Sequence, residues 1–214
     1  MLSKPDLLAR AARAGVVPVL TVDDARQAVP LAQALCAGGL DVLEVTLRTE
    51  AGLDAIAEIA NADLDCVIGA GTILSASDVD AAAKAGAQFL VTPGTPAALV
   101  PSLQAFGGIV IPGISTVGEA MSLAAAGFDV LKFFPAEPAG GASFLKGLGG
   151  PLPDLTFMPT GGIRQDTMDA YLRLPNVVAV GGSWIASSGD IAAGAWDAIT
   201  EKASSANQAA KAIV

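Results

Sequence analysis

Eight short apolar runs recur along the 214-residue chain: VVPVL (16–20), VLEVTL (42–47), CVIGA (66–70), FLVT (89–92), IVIPG (109–113), VLKFF (130–134), FMPT (157–160) and VVAVGG (177–182). Each predicts a strand. Between them lie alanine-rich segments with helical spacing, such as AGLDAIAEIANA and TVGEAMSLAAAG, and many of these end in glycine, a common helix C-cap. The opening residues, MLSKPDLLARAARAG, read as a short amphipathic helix. Apolar strands alternating with helices predict parallel strands buried on both faces. Eight such units in this length predict an α/β fold, a single-domain (β/α)8 TIM barrel over residues 1–214 with an N-terminal helix. An open doubly wound sheet is the runner-up. It usually carries a glycine-rich dinucleotide turn after its first strand, and VVPVLTVDDA has none. No linker or low-complexity segment divides the chain. The tail after about Gly189 closes the ring, and its end, SSANQAAKAIV, is expected to fray.

Composition narrows the function classes. Hydrophobic residues make up 52% and charged residues 15%, ample material for a core. A net charge of -9 and the lack of a basic run argue against nucleic acid as a partner. No stretch approaches the roughly 20 apolar residues that span a bilayer, and the N-terminus lacks a signal pattern. Cys36 and Cys66 sit in apolar contexts and read as reduced core residues, so a cytoplasmic, non-membrane protein is expected. There is no histidine, which removes the commonest metal ligand and the commonest general base. That argues against a zinc-dependent mechanism and against any Ser-His or Cys-His device, so the chemistry must use carboxylates, lysine, arginine, hydroxyls and backbone groups, and no metal or cofactor is expected.

Against that background DVLKFFPAE (129–137) stands out, because Lys132 lies inside an apolar strand. Burying an ammonium group is costly unless it is paired or loses its proton. Residues two apart share a strand face, so Val130, Lys132 and Phe134 point together, as do Glu44, Thr46 and Arg48 in VLEVTLRTE. If both faces line the barrel interior, the amine meets the Glu44 carboxylate at the mouth, where barrel active sites form. Phe133, Phe134 and Pro135 are expected to dry the surroundings, which frees the amine as a nucleophile. A lysine amine attacks a ketone to give an imine, which permits carbon-carbon cleavage without a metal. Glu44 is the candidate proton shuttle. Asp129 should point elsewhere, and Glu137 reads as a surface or loop-capping residue. The structural alternatives are a lysine that reaches solvent and a Glu44–Arg48 ion pair that only shapes the barrel.

Other strand ends carry weaker signals. GAGT puts Thr72 at the mouth, and the turns in TPGT and PGIST could line a pocket. Strands seven and eight end in TGGI and VGGSW, where barrels often hold phosphate. Gly161, Gly162, Gly181 and Gly182 let backbone N–H groups approach an anion, Ser183 adds a hydroxyl, and a helix start adds a favourable dipole.

VLEVTLRTE, GAGT, PGIST, KFFPAE, PTGGI and GGSW, in this order, resemble the 2-keto-3-deoxy-6-phosphogluconate (KDPG) aldolases, class I enzymes of the Entner-Doudoroff pathway. The likeness runs from about Val16 to Trp184. It implies a lyase in which Lys132 forms the imine and Glu44 moves protons. It implies that Arg48 and Thr72 hold the pyruvate carboxylate, that Thr160 and Phe134 line the substrate channel, and that Gly161, Gly162, Gly181, Gly182 and Ser183 hold phosphate. It also implies a homotrimer. Rival readings are the same chemistry on the galactonate epimer or on 4-hydroxy-2-oxoglutarate, a non-catalytic phosphosugar-binding barrel, and a sugar-phosphate isomerase or epimerase.

Overall fold

The structure, a computed structural model, describes residues 2–213. Every apolar run forms a strand: β1 (Val16–Leu20), β2 (Val42–Thr46), β3 (Val67–Gly71), β4 (Phe89–Val91), β5 (Ile109–Ile111), β6 (Gly113–Ile114), β7 (Val130–Phe133), β8 (Thr156–Pro159) and β9 (Val180–Gly182). The fifth run yields two strands because Pro112, with no N–H to donate, interrupts the ladder between them. All pairings are parallel. One sheet has the order β5-β4-β3-β2-β1-β9 and the other β6-β7-β8.

The sheets meet at two seams. Isolated bridges join Phe157 to Val177 and Thr160 to Gly181, between β8 and β9. At the other seam the Gly113 N–H donates to Thr92 Oγ1 at 2.7 Å, and Thr95 Oγ1 donates to the Gly113 carbonyl at 3.0 Å. The hydroxyls of the TPGT turn therefore fasten β4 to β6.

Alternation along the strands sorts their side chains into two apolar layers. Leu43, Val45, Leu131 and Phe133 face outward and pack beneath helices with Leu31, Leu35, Ile56 and Ile59. Val17, Val42, Val67, Phe89, Ile109, Val130 and Met158 face a common interior, joined there by Leu7 and Ala11.

The helix Lys4–Ala14 lies across the starts of the strands. Ser3 caps it, and its apolar residues Leu7, Ala11 and Ala14 fall on one face and are buried. Arg10 pairs with Asp41 and Asp65, Arg13 with Asp41, and Lys4 with Asp129, which indeed points away from Lys132's side of its strand. These pairs are mostly solvent-exposed, worth about 0–1 kcal/mol each. Burying Leu7 contributes about 1.5–3 kcal/mol. Apolar burial thus holds this helix in place, and the ion pairs set its direction.

The C-terminal segment departs from expectation. The helix Trp196–Lys211 continues through residues 204–211 of SSANQAAKAIV, and Val214, its last residue, lies outside the described residues. Ala203, Ala206 and Ala210 are buried, and Asn207 Nδ2 donates to the Ala14 carbonyl at 3.1 Å. Cys36 and Cys66 are free thiols, each half-buried. No helix among the described residues is long and apolar enough to cross a membrane.

Candidate active site

Lys132 and Glu44 occupy the third position of their strands, β7 and β2, on the interior face. At that shared depth Lys132 Nζ donates to Glu44 Oε1 at 3.1 Å. Lys132 is 3% exposed and Glu44 is fully buried. The second carboxylate oxygen, Glu44 Oε2, has no partner among the described residues. A buried carboxylate with one free oxygen beside a buried amine can accept a proton without unfolding its surroundings. The lysine that reaches solvent and the Glu44–Arg48 pair are both excluded by this geometry.

The aromatic surroundings differ in part from the sequence reading. Lys132 Nζ lies 5.5 Å from the centroid of the half-buried Phe134 ring. Phe133, one residue earlier, faces the opposite way and stacks on Phe144 at 4.8 Å. Strand alternation separates them, so of the two rings Phe134 is the one beside the amine. The Phe134–Pro135 peptide is cis.

Thr46 follows Glu44 on the interior face and donates to the Leu20 carbonyl at 2.9 Å, joining β2 to β1. Arg48 and Thr72 meet just past the ends of β2 and β3, where Arg48 Nε donates to Thr72 Oγ1 at 3.3 Å. Thr72 has φ of +63°, and it is the one non-glycine residue with positive φ among the described residues. A β-branched residue held there is strained by about 1–3 kcal/mol, and such strain clusters at functional sites. Nothing in the run GAGT announces it.

The Thr160–Gly181 bridge brings the two glycine pairs side by side at the ends of β8 and β9. Gly161 and Gly162 have φ of +105° and +82°, so they are glycines for backbone reasons. Gly181 is a glycine for space: a Cβ there would lie 2.1 Å from Thr160 Oγ1. That Thr160 hydroxyl is buried and has no partner among the described residues. Ser183 is exposed at the same end.

One element of the phosphate reading fails. No helix begins at either glycine pair; the next helices are Asp169–Leu172 and Ser188–Ala192. The Arg164 N–H is taken by Thr167 Oγ1 at 3.0 Å, which makes a turn, and a capping box of Ser187 and Asp190 delays the second helix. An anion held there would meet turn N–H groups and the Ser183 hydroxyl, without a helix dipole.

Sequence reasoning missed a contact behind the first glycine pair. Tyr171, 1% exposed, donates its hydroxyl to Glu137 Oε1 at 2.6 Å. The available signal was that Tyr171 is the chain's single tyrosine.

The known proteins that this chain is similar to in sequence fall in one family. The family profile described as KDPG and KHG aldolase matches residues 8–202. A 2-dehydro-3-deoxy-phosphogluconate aldolase of Pseudoalteromonas atlantica is 49% identical over 191 residues, covering 89% of each chain. A KHG/KDPG aldolase of Escherichia coli is 43% identical over 196 residues, covering 92% of each. The crystal structure of a KDPG aldolase from Legionella pneumophila, with pyruvate captured as a covalent carbinolamine intermediate, superposes with a TM-score of 0.89 at 40% identity, covering 92% of this chain and 96% of that one.

Proposed function

The chain belongs to the KDPG and KHG aldolase family, and from that premise we propose how its residues divide the work of a Schiff-base aldolase. The enzyme splits 2-keto-3-deoxy-6-phosphogluconate into pyruvate and glyceraldehyde 3-phosphate, and runs the addition in reverse. Lys132 Nζ attacks the C2 carbonyl to form a carbinolamine, which loses water to give the protonated imine. Glu44 takes the proton from the C4 hydroxyl as the C3–C4 bond breaks, and the electron pair passes into the imine to form an enamine. Glyceraldehyde 3-phosphate leaves. The enamine is then protonated at C3, and water releases pyruvate from Lys132.

Arg48 and Thr72 hold the carboxylate, a site suited to a charged fork beside a hydroxyl. Thr160 offers its unpartnered hydroxyl to a substrate hydroxyl, Phe134 lines the approach, and Gly161, Gly162, Gly181, Gly182 and Ser183 hold the phosphate. No metal or cofactor takes part in this scheme. The observation that carries the reading is the buried 3.1 Å contact between Lys132 and Glu44. We also read the two sheets as one closed (β/α)8 ring, counting β5 and β6 as a single strand bent at Pro112, in one domain. Homotrimer assembly and a cytoplasmic location follow the family resemblance.

Borohydride reduction in the presence of pyruvate and EDTA, followed by peptide mass spectrometry, tests the reading. A reduced pyruvyl adduct on Lys132 is expected. Folded protein without that adduct would overturn it. A second substrate, 4-hydroxy-2-oxoglutarate, fits the same imine chemistry, and a relative of 43% identity is named for both activities.

A further inference from the structure

The phosphate-binding turn is held from behind by residues the mechanism does not use. The Glu137 N–H donates to the Gly161 carbonyl at 3.0 Å, and the Ala136 N–H to the Thr160 carbonyl at 2.8 Å. These two bonds lace the segment after Lys132 to the first glycine pair. The Glu137 side chain then passes directly against Gly162: a Cβ at that glycine would lie 2.8 Å from both Cβ and Cγ of Glu137. Beyond it, Oε1 receives the Tyr171 hydroxyl at 2.6 Å. Glu137 is exposed, yet its stem and head are pinned, whereas Tyr171 is buried and anchored in the core. Burial, together with the carboxylate, pushes the Tyr171 hydroxyl well above its ordinary titration range, so it remains a donor.

We infer that Glu137 and Tyr171 are positioning residues: they hold the Gly161–Gly162 turn in its anion-binding shape and fix it relative to Lys132. The inference rests on the reading of that turn as the phosphate site. Two adjacent positive-φ glycines are permissive by themselves, with many conformations open to them. A brace on the outside of the turn selects one. A misplacement of about 1 Å between a bound group and the reacting atom costs on the order of 100-fold in rate, so such a brace matters to the reaction.

The test compares Tyr171→Phe, Glu137→Ala and Glu137→Gln on two substrates, 2-keto-3-deoxy-6-phosphogluconate and the same sugar acid without phosphate. Tyr171→Phe and Glu137→Ala should each lower the preference for the phosphorylated substrate about tenfold, through KM, as expected for losing one charge-assisted hydrogen bond. Glu137→Gln, whose amide oxygen still accepts, should recover most of that preference. Equal losses on both substrates, or none, would overturn the inference by reducing the pair to a packing role. Glu137 is exposed, so its variants carry the test if Tyr171→Phe does not fold. Ser183→Ala separates the two levels. If it erases the preference while Tyr171→Phe and Glu137→Ala do not, only the brace is wrong. If none of the three moves it, the phosphate site is misassigned and the brace falls with it.

Discussion

Gly71 and Glu44 compete for one volume: a Cβ on Gly71 would lie 2.1 Å from Glu44 Oε1 and 2.7 Å from its carboxyl carbon. The two residues are neighbours two registers apart on β3 and β2, where Glu44 pairs with Gly69 and Thr46 with Gly71. The second glycine of GAGT is thus the space in which the carboxylate stands. Gly71→Ala should displace Glu44 from Lys132. We expect turnover to fall on the order of 100-fold, with a stability loss of about 1–3 kcal/mol from overpacking. Steady-state kinetics and denaturant unfolding read these separately, and unimpaired turnover would remove the steric argument.

Glu44→Gln keeps the shape of the side chain and removes its basicity. The variant should still bind pyruvate but lose turnover by about 100- to 10,000-fold, the range for a lost general acid-base. Near-normal turnover would take Glu44 out of the mechanism.

Thr160→Val preserves volume and deletes the buried, unpartnered hydroxyl. It should relax the preference between the gluconate and galactonate epimers, read as the ratio of their kcat/KM values. An unchanged ratio would count against Thr160 as the discriminating group.

Glu119 makes a pH prediction away from the active site. It caps the helix Val117–Ala125, and the Ser115 N–H, together with Thr116, holds its carboxyl below the ordinary carboxylate range. A depressed folded-state value means the stabilisation is present above the unfolded value of about 4.3 and is lost as pH falls through the folded one. Glu119→Gln should therefore flatten the acid limb of the melting-temperature profile. Parallel profiles for the two proteins would refute the assignment.

The sequence made the local geometry legible and left the packing between distant segments hidden. Period-two alternation is a covalent property of a strand, so the inward direction of Glu44 and Lys132 could be read 88 residues apart. The same rule, applied fully, would have turned Phe133 outward. The split at Pro112 was present in IVIPG as a missing donor. By contrast, the positive φ of Thr72, the Tyr171–Glu137 contact and the order in the C-terminal helix depend on what packs against each segment. Asn207 illustrates this: its neighbours in sequence are polar and small, and its buried amide is satisfied by the carbonyls of Ala14 and Arg13, 193 and 194 residues away.

Leu7 and Ala11 join the interior layer at the starts of the strands, while Arg48, Thr72 and the glycine turns lie at the opposite ends. The amino-terminal helix thus covers one end of the strands, and a keto acid that forms an imine with Lys132 would reach it from the other. On the proposed mechanism the aldehyde fragment would leave by that same end while pyruvate stays bonded to Lys132, so excess phosphorylated aldehyde should slow the release of pyruvate.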